Sequence, residues 1–484
     1  MGNSICDLQP QGLWKNFHKI CQVPHPSHHL EGITEMIVNF GKDLGLETIV
    51  DKVGNILIRK PATPGMENCQ TIVLQAHTDM VPQKNNDKVH DFVTDPIETI
   101  IDGEWLRANG TTLGADNGIG VAAGMAIMES KELKHGPLEL LLTSDEETGM
   151  FGAFGMEQGF IKGKILINLD SEDFGELYVG CAGGLDANIS WKYNGVALPV
   201  DDIAVQIDIK GLKGGHSGLE INAGHANANK LLFRILKEAV SQYEARLASV
   251  QGGNMRNAIP REAHAVITIP ADSQNELNKL VEEYETLFNE EYSHTENKIT
   301  IECSVVDTPE MLIPELVQDD LINAITACPN GVFRMIPAIP DTVETSMNLS
   351  IITANAESIE ISCLLRSSVD SKKEELASMV ESVFTLAGAK VEFSGGYSGW
   401  NPDLSSTILR VMGEAYEQQF GEKAAVKVIH AGLECGILGA IEPGLDMVSM
   451  GPTIRHPHSP DEKVHIESVS KFWDFLTASL ANMK

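Results

Sequence analysis

The chain has 484 residues, which is more than one simple hydrophobic core accommodates and predicts two domains. Hydrophobic residues make up 43% and charged residues 21% of it, as in an ordinary soluble globular protein. The formal net charge of −32 argues against nucleic acid and membranes as partners, because nucleic acid and anionic lipid bind cationic patches, and is typical of a surface that maintains solubility.

The cysteines and the N-terminal segment indicate the compartment. The 8 cysteines are dispersed without a C-x-x-C pair, as expected for free thiols in a reducing compartment. The segment MGNSICDLQPQGLWKNF lacks the basic and apolar regions of a secretory signal, and Cys6 stands where a myristoylation signal has Ser or Thr. No apolar run approaches the ~20 residues of a transmembrane helix. We therefore predict a cytoplasmic protein.

Short runs of β-branched and leucine-rich residues predict buried strands in the first part of the chain. They are NILIRK (55–60), TIVLQAH (71–77), LELLLTS (138–144) and KILINLD (164–170). Helical patterns lie between them, at residues 27–45 and 118–130. Near-continuous apolar strands that alternate with helices favour a largely parallel sheet covered on both faces.

A different pattern begins near residue 185. Alternating strands and long helices continue to about residue 400, as in an α+β domain with an antiparallel sheet. The first pattern then returns, with a helix at 406–421 and a strand, DMVSMG, at 446–451. The sequence therefore predicts an α/β fold in which one domain, residues 1–185 and 401–484, has a mostly parallel central sheet and is interrupted by an inserted α+β domain, residues 186–400.

Acidic residues and histidines follow the predicted strands of the first domain at the point where each strand ends. They are His77 and Asp79 after the second strand, Glu146 and Glu147 after the third, Asp170 at the end of the fourth, and His456 and His458 after the last, with Asp116 in a glycine-rich turn. Ligands of open α/β sheets bind at the carboxyl ends of the strands. We therefore expect these side chains to meet at one edge of the sheet.

Carboxylates brought together in this way need a cation, since they repel one another and lose hydration. Two divalent cations would neutralise them, and a mixed nitrogen and oxygen ligand set suits Zn²⁺ and can also bind Mn²⁺ or Co²⁺. Each residue alone has an ordinary structural alternative, because a strand-end carboxylate commonly caps a helix and a single histidine commonly makes a hydrogen bond. Their coincidence at one edge favours a paired metal site of the hydrolytic kind.

The stretch LGADNGIG (113–120) raises the alternative of a nucleotide-binding loop, because glycine-rich turns that open a helix can cradle phosphate. The stretch has no lysine and matches neither GxxxxGK[ST] nor GxGxxG. Asp116 would also repel phosphate. We therefore interpret the glycines as residues that let the backbone approach the metal pair.

Seven motifs match a known family in order along the chain. They are HTDM, GADNGIG, SDEETGMFGA, NLDSED, GGHSG, NAIP and HPHSPDE. In these motifs, and over essentially its whole length, the sequence resembles the aminoacyl-histidine dipeptidases, also called Xaa-His or cytosol non-specific dipeptidases, of the carnosinase and aminoacylase clan of dizinc hydrolases. The resemblance implies a zinc-peptidase-like catalytic domain (1–185 and 401–484) and a lid domain (186–400) through which the protein forms a homodimer.

The resemblance also implies the metal ligands. His77 and Asp170 would bind one zinc, Glu147 and His458 would bind the other, and Asp116 would bridge the two. In relatives the peptide bond after this aspartate is cis, which predicts a cis bond between Asp116 and Asn117.

The catalytic groups implied by the resemblance lie beside these ligands. Glu146 would be the general base that takes a proton from a water activated by the two zinc ions and passes it to the leaving amine. Asp79 would orient the His77 ring from behind the metal. His216, which the sequence alone suggests is only a turn residue, would donate to the oxygen of the tetrahedral intermediate.

Substrate-binding residues are implied less directly. Arg366 resembles a lid arginine suited to the free carboxylate of a dipeptide, Asn257 a contact to the substrate backbone, and His430 and Glu434 part of a substrate loop. Each has a structural alternative, such as an ion pair of Arg366 with Asp370 or a turn at Asn257.

The predicted activity is metal-dependent hydrolysis of dipeptides, preferentially Xaa-His dipeptides of the carnosine kind, with broad dipeptide specificity. The ligand set hardly distinguishes a dipeptidase from a tripeptidase or an N-acyl amino acid deacylase of the same clan, whereas the long matching stretches favour the dipeptidase. A metal-storage protein is the alternative outside the enzymes, but storage requires no carboxylate such as Glu146 held off the metal.

Overall fold

The computed structural model describes residues 4–483. The chain separates into two compact units. The first unit contains the chain up to Gly180, Pro402–Val428 and the chain from Leu433 onward, and the second contains Cys181–Asn401 and Ile429–Gly432. The predicted boundaries at 185 and 401 differ from these bounds by a few residues, and residues 429–432 were not predicted to leave the first domain.

Helices and strands alternate along the described residues. The α-helices are α1 (Gln11–Cys21), α2 (Glu31–Asp43), α3 (Ala115–Glu129), α4 (Phe151–Gly155), α5 (Ala228–Tyr243), α6 (Gln274–Glu291), α7 (Glu315–Ala327), α8 (Asp370–Leu386), α9 (Thr407–Phe420), α10 (Glu434–Ile441) and α11 (Ile466–Asn482). The strands are β1 (Glu47–Val50), β2 (Ile56–Lys60), β3 (Ile72–His77), β4 (Thr99–Asp102), β5 (Trp105–Ala108), β6 (Leu138–Thr143), β7 (Ile165–Asn168), β8 (Glu176–Cys181), β9 (Gly183–Lys192), β10 (Asp202–Lys210), β11 (Gly215–His216), β12 (Arg246–Gly252), β13 (Ala258–Ile259), β14 (Ala263–Pro270), β15 (Thr300–Val306), β16 (Gly331–Met335), β17 (Val343–Ala354), β18 (Ser358–Ser367), β19 (Lys390–Tyr397), β20 (Ala425–Ile429), β21 (Asp446–Ser449), β22 (Ile454–Arg455) and β23 (Lys463–His465).

The first unit is built on an eight-stranded sheet with the order β1-β2-β6-β3-β7-β21-β8-β20. Its four central strands, β6, β3, β7 and β21, are parallel, which confirms the predicted parallel core. The predicted strand 55–60 differs, because β2 forms an antiparallel hairpin with β1 and also pairs antiparallel with β6. All residues of β3, β6 and β7 are buried, as their continuous apolar sequences require.

Helix α3 packs on this sheet through small residues. A methyl group on Gly124 would lie 2.4 Å from Leu140 Cδ1 of β6, so glycine permits the close approach of helix and strand. Helix α1 contacts α3 from the other side and buries Leu13, Trp14 and Phe17. The turn that holds Asp116 at the start of α3 is therefore fixed between a sheet and a second helix.

A four-stranded sheet of the first unit, ordered β22-β23-β5-β4, was not predicted. The strands β22 and β23 are antiparallel, with Ile454 opposite Val464. They form the two sides of the loop 456–462, which contains His458. Short strands of two and three residues carry too weak a pattern to be recognised before their partners are known.

The second unit contains a nine-stranded sheet with the order β15-β10-β14-β12-β17-β18-β9-β19, in which β16 also pairs with β17. The pairings are antiparallel, as the alternating pattern of the sequence predicts. Helices α5 and α8 pack on the sheet and contribute Phe233 and Phe384 to its core. A separate two-stranded pairing of β11 with β13 places His216 opposite Ala258.

Residues 4–483 contain no helix that is both long enough and apolar enough to cross a membrane.

Candidate metal centre and active site

The carboxyl ends of the parallel strands bring the predicted ligands of the first unit together. His77 is the last residue of β3, Asp170 follows β7, and Glu147 follows β6. Asp145, with φ of 49°, turns the chain sharply after β6. The side chains of Glu146 and Glu147, which follow this turn, lie near His77 at the end of β3. The ends of neighbouring parallel strands meet at one edge, as the strand-end argument predicted.

The first group of candidate ligands consists of His77, Asp116 and Asp170. The Nε2 atom of His77 lies 3.2 Å from Oδ1 of Asp116 and 3.3 Å from Oδ1 of Asp170. One ligand atom from each of the three residues lies within 4.8 Å of the others, which is the spacing of ligands around a single ion. His77 is only 1% exposed, so the group faces the interior of the unit.

The second group consists of Asp116, Glu147 and His458. The Nε2 atom of His458 lies 3.0 Å from Oε2 of Glu147 and 3.2 Å from Oδ2 of Asp116. Asp116 thus directs one oxygen to each group, as a bridging carboxylate does. The peptide bond between Asp116 and Asn117 is cis, which confirms the expectation from the family resemblance.

The two groups contain more carboxylates than histidines, so a cation would balance their negative charge. Burial alone would lower the pKa of His77, but Asp170 and Asp116 hold it well above the usual value. Hydrogen bonds to Asp116 and Glu147 raise the pKa of His458 to about 11. The carboxylates therefore favour the protonated form of both rings, and a divalent metal ion would supply this positive charge in place of the protons.

Unsatisfied atoms in the two groups also fit metal ions. Oδ1 of Asp170 and Oε1 of Glu147 are buried and make no hydrogen bond within the described residues. Buried oxygens without partners are rare in folded proteins and indicate an ion or ligand. The donor set of two imidazole nitrogens and several carboxylates suits Zn²⁺, Mn²⁺ or Co²⁺, so the residues present fit a pair of such ions.

Glu146 lies close to both groups but makes none of the contacts to His77 Nε2 or His458 Nε2 given above. One of its oxygens is within 4.8 Å of ligand atoms of His77 and Glu147. Burial raises the pKa of Glu146 well above its ordinary value, and the carboxylates of Asp170 and Glu434 add to this effect. A carboxylate so placed can exchange a proton with a group bound between the ligands.

Asp79 holds the backbone of the two glutamates. Its carboxylate accepts hydrogen bonds from the amides of Glu146 and Glu147 at 2.9 and 3.1 Å and from the Ser27 hydroxyl at 2.8 Å. The His77 Nδ1 atom lies 3.0 Å from the Asp79 backbone oxygen and 3.4 Å from its carboxylate. The ring is therefore oriented chiefly by the Asp79 carbonyl, while the Asp79 carboxylate fixes the turn that carries Glu146 and Glu147.

Glu434, predicted for a substrate loop, is completely buried at the start of α10. Its Oε2 atom accepts hydrogen bonds from Gln75 Nε2 at 2.6 Å and from the Thr143 hydroxyl at 2.7 Å. Burial raises its pKa to about 8. The structure places this residue within the first unit, next to side chains of β3 and β6, and not on an exposed loop.

The other four predicted residues lie in the second unit, and three of them surround Gly218. A methyl group on Gly218 would lie 3.1 Å from His216 Cε1, 3.2 Å from Arg366 Nε and 2.1 Å from the carbonyl oxygen of His430. The carbonyl of Asn257 accepts a hydrogen bond from the Ser217 amide at 2.8 Å. His216, Asn257, Arg366 and His430 therefore all lie close to the turn at 216–218.

The His216 ring has a defined tautomer. Its Nδ1 atom accepts hydrogen bonds from the amides of Gly218 and Leu219 at 3.1 and 3.0 Å. Burial and the neighbouring Arg366 lower its pKa, so the neutral ring carries its proton on Nε2. His216 therefore presents an N–H donor on the side away from its own turn.

Arg366 and His430 are almost completely buried, each 6% exposed. The Nε atom of Arg366 has no hydrogen-bond partner within the described residues, and its Nη1 atom lies 3.3 Å from the Tyr397 hydroxyl. The alternative pairing with Asp370 does not occur, because Asp370 pairs with Lys373 at 2.8 Å. A buried guanidinium with a free donor is suited to a carboxylate.

Sequence reasoning missed three residues around Asp116. Asn117 accepts a hydrogen bond from the His77 amide at 3.3 Å and donates one to the Leu169 carbonyl at 2.8 Å, so it connects β3 and β7. Glu172 lies partly buried near Asp116 and Asp170, and burial raises its pKa to about 8. Glu462 bonds the backbone of the Asp116 turn. All three lie in motifs that the sequence analysis quoted, but their contacts depend on distant parts of the chain.

The sequence of the chain matches a known peptidase family over residues 73–482, the family described as Peptidase family M20/M25/M40. This range includes every candidate ligand of both groups. The chain belongs to this family.

Two full-length relatives accompany the family match. The M20 chain is 48% identical over 478 residues to the cytosol non-specific dipeptidase of Escherichia coli (strain K12), covering 99% of both sequences. It is 48% identical to the aminoacylhistidine dipeptidase from Vibrio alginolyticus, whose crystal structure superposes with a TM-score of 0.95 over 100% of this chain and 98% of that one. Aminopeptidase PepT from Bacillus cereus, 16% identical with a TM-score of 0.58 over 98% and 99% of the two chains, shares the fold.

Proposed function

We propose that this M20 peptidase hydrolyses dipeptides, Xaa-His dipeptides among them, with two divalent metal ions, most simply Zn²⁺, held at the carboxyl ends of its parallel strands. The observation that carries the proposal is the arrangement of Asp116, which directs its two oxygens to two different ligand groups. Full-length similarity at 48% identity to an aminoacylhistidine dipeptidase and to a cytosol non-specific dipeptidase supports the substrate class.

We assign His77 and Asp170 to one ion, Glu147 and His458 to the other, and Asp116 to both. When bound, the two ions would supply Lewis-acid chemistry: they would polarise the scissile carbonyl and lower the pKa of a bound water. The chain's own part is to hold five side chains at fixed spacing, which it does through strand ends, the Asp116 turn and the loop that carries His458.

Glu146 is assigned the proton transfers. Its carboxylate takes the proton of the attacking water and then gives that proton to the amine that leaves. Two observations support this role: its position beside His77 and Glu147, and the backbone bond from its amide to Asp79, which fixes where its side chain begins. A positioned base of this kind typically contributes about 10²- to 10⁴-fold to the rate.

The second unit is assigned to substrate binding. The Nε2 proton of His216 is suited to the negative oxygen of the tetrahedral intermediate, and the free donor of Arg366 to the terminal carboxylate of a dipeptide. His430 and Asn257 are assigned to the substrate backbone, because they lie around the same turn. We further propose that this unit acts as the lid and the dimer contact, and that the protein works in the cytoplasm.

The proposal is tested with a substrate panel and a metal analysis of protein purified without chelator. We expect turnover of Ala-His and β-alanyl-histidine, and about two metal ions per chain. Turnover of N-acetyl amino acids alone would identify a deacylase, and turnover of tripeptides alone a tripeptidase. One ion per chain, or none, would contradict the paired site.

A further inference from the structure

Glu462 is a buried carboxylate that the proposed chemistry does not use. It lies between β22 and β23, directly before Lys463, and is 1% exposed. It follows the candidate ligand His458 by only four positions in the sequence HPHSPDE. A carboxylate is buried to this degree only when its oxygens are well bonded.

The oxygens of Glu462 bond four consecutive backbone amides. Oε2 accepts hydrogen bonds from Leu113 and Gly114 at 2.7 and 3.0 Å, and Oε1 accepts them from Ala115 and Asp116 at 2.8 and 3.2 Å. A residue in the left-handed conformation can turn successive amides to one side of the chain, and Gly114 takes this conformation with φ of 68°. The single side chain thus fixes the backbone of the whole turn up to Asp116.

The same carboxylate connects this turn to the loop that carries His458. The Glu462 amide donates to the Ser459 carbonyl at 3.0 Å, and the Asp461 amide bonds the Ser459 hydroxyl at 3.2 Å, so the loop is tied together near Glu462. His456 and His458 both have positive φ, 56° and 58°, which shows how sharply the loop is folded. Across this connection, His458 Nε2 lies 3.2 Å from Asp116 Oδ2.

We propose that Glu462 is a positioning residue that sets the spacing between Asp116 and His458 and thereby determines the affinity of the metal position formed by Asp116, Glu147 and His458. The inference rests on the paired metal site proposed above. It follows from the geometry, because Glu462 is the side chain that bonds the Asp116 turn and also belongs to the His458 loop.

The other metal position depends on Glu462 less directly. His77 and Asp170 are carried by strands β3 and β7, and the Asn117 side chain joins these strand ends by bonds to the His77 amide and the Leu169 carbonyl. Neither of these bonds involves Glu462. Loss of Glu462 is therefore expected to affect the two positions unequally.

The test is a metal titration of the full-length protein, first stripped of metal, with Zn²⁺ in competition with a chromophoric chelator. Glu462→Gln replaces one acceptor oxygen by an NH₂ group, which cannot accept from the amides that face it. We expect the affinity of the position formed by Asp116, Glu147 and His458 to fall by roughly 10- to 100-fold. The affinity of the position that contains His77 and Asp170 should change far less. Co²⁺ provides a second measurement. At Co²⁺ concentrations that saturate the wild type, we expect the absorption spectrum of Glu462→Gln to lack the bands of the weakened position.

Glu139→Gln is the matched control. Glu139 is 2% exposed, lies in β6, and accepts hydrogen bonds from two consecutive amides, Lys162 and Gly163, at 2.7 and 2.9 Å. The control therefore removes a buried carboxylate with backbone partners that are not ligands. We expect both metal positions to keep wild-type affinity in this variant.

Equal affinities in Glu462→Gln and the wild type would overturn the inference, as would an equal loss in Glu462→Gln and Glu139→Gln. If Glu462→Gln does not fold, Glu462→Asp replaces it, since this variant retains both oxygens at a shorter reach. Lower metal affinity of the His458 position in Glu462→Asp supports the inference, and wild-type affinity of that position contradicts it. A wild type that binds only one ion would instead refute the paired site of the proposed function, so the two failures are distinguishable.

Discussion

At the scale of single residues, the neighbours Glu146 and Glu147 differ in their surroundings. Glu147 Oε2 lies 3.0 Å from His458 Nε2, whereas Glu146 has no such contact with that ring. Both amides bond the Asp79 carboxylate, so the backbone of the two residues is held in place. The proposed roles of Glu147 as ligand and Glu146 as base therefore depend on one turn, which a third carboxylate, that of Asp79, holds in place.

Replacement of Glu146 tests this difference. Glu146→Gln removes the proton acceptor but keeps the size of the side chain, so we expect turnover of Ala-His to fall by about 10²- to 10⁴-fold while two metal ions stay bound. Steady-state kinetics and metal analysis of the same preparation measure the two effects. Glu157→Gln, at a side chain that is 73% exposed, is expected to change neither. Loss of metal together with activity would make Glu146 a ligand.

Replacement of Asp116 tests the bridge. Asp116→Ala removes the oxygens that face both His77 and His458, so both metal positions should weaken. His458→Ala removes a ligand from one position, and we expect it to leave about one tightly bound ion per chain. Metal analysis after gel filtration distinguishes the variants. Two retained ions in Asp116→Ala would show that this residue does not bridge.

At the scale of elements, the site depends on how closely α3 packs against its surroundings. A methyl group on Gly120 of α3 would lie 2.6 Å from Asn117 Oδ1 and 2.7 Å from the Leu169 carbonyl oxygen. The carbonyl belongs to the backbone and cannot give way as a flexible side chain can. The glycines of this stretch therefore serve contacts of α3 with neighbouring elements, where the sequence had suggested closeness to the metal pair.

The pair Gly120→Ala and Gly413→Ala separates this packing from helix propensity. We expect Gly120→Ala to lower the free energy of unfolding by about 1–3 kcal/mol, because the added methyl overpacks the site. Gly413 lies inside α9 with nothing within 4 Å of an added methyl, so Gly413→Ala should raise that free energy by roughly 0.5–1 kcal/mol. Denaturant unfolding measures both. A stabilising Gly120→Ala would contradict the packing argument.

Element by element, the sequence predicted most of the strands that carry the site. The runs 71–77, 138–144 and 446–451 became β3, β6 and β21, because continuous apolar runs bounded by polar residues have few alternatives. The strand-end rule then brought the ligands together. Three features could not be predicted, because each depends on contacts between distant parts of the chain. They are the antiparallel direction of β2, the sheet that contains β22 and β23, and the contact of Glu462 with the Asp116 turn.

At the scale of the whole molecule, a chain with a formal net charge of −32 concentrates several partly buried carboxylates at one edge of its first unit. These carboxylates raise the pKa of both His77 and His458, so they favour a positive charge at this edge. Metal ions that bind the folded protein and not the unfolded chain add directly to stability. The metal content and the stability of the protein are therefore linked.

Thermal and denaturant unfolding with and without Zn²⁺ test this link. At a free Zn²⁺ concentration of 100 times the dissociation constant, one site is expected to add about 2.7 kcal/mol to the free energy of unfolding. His458→Ala should reduce the gain, and Ca²⁺, which prefers all-oxygen ligands, should give less of it than Zn²⁺. Identical unfolding of the metal-free and zinc-loaded protein would contradict a metal centre in the folded state.

The bond between Glu462 and the Asp116 amide has a consequence for the order in which the protein is made. The two residues are 346 positions apart, so the ribosome synthesises the Asp116 turn long before the side chain that fixes it. His77, Asp116, Glu147 and Asp170 all precede that point, whereas His458 comes almost together with Glu462. Under the proposed assignment, the ligands of one ion are therefore all synthesised early, whereas the ligands of the other are complete only near the end of synthesis.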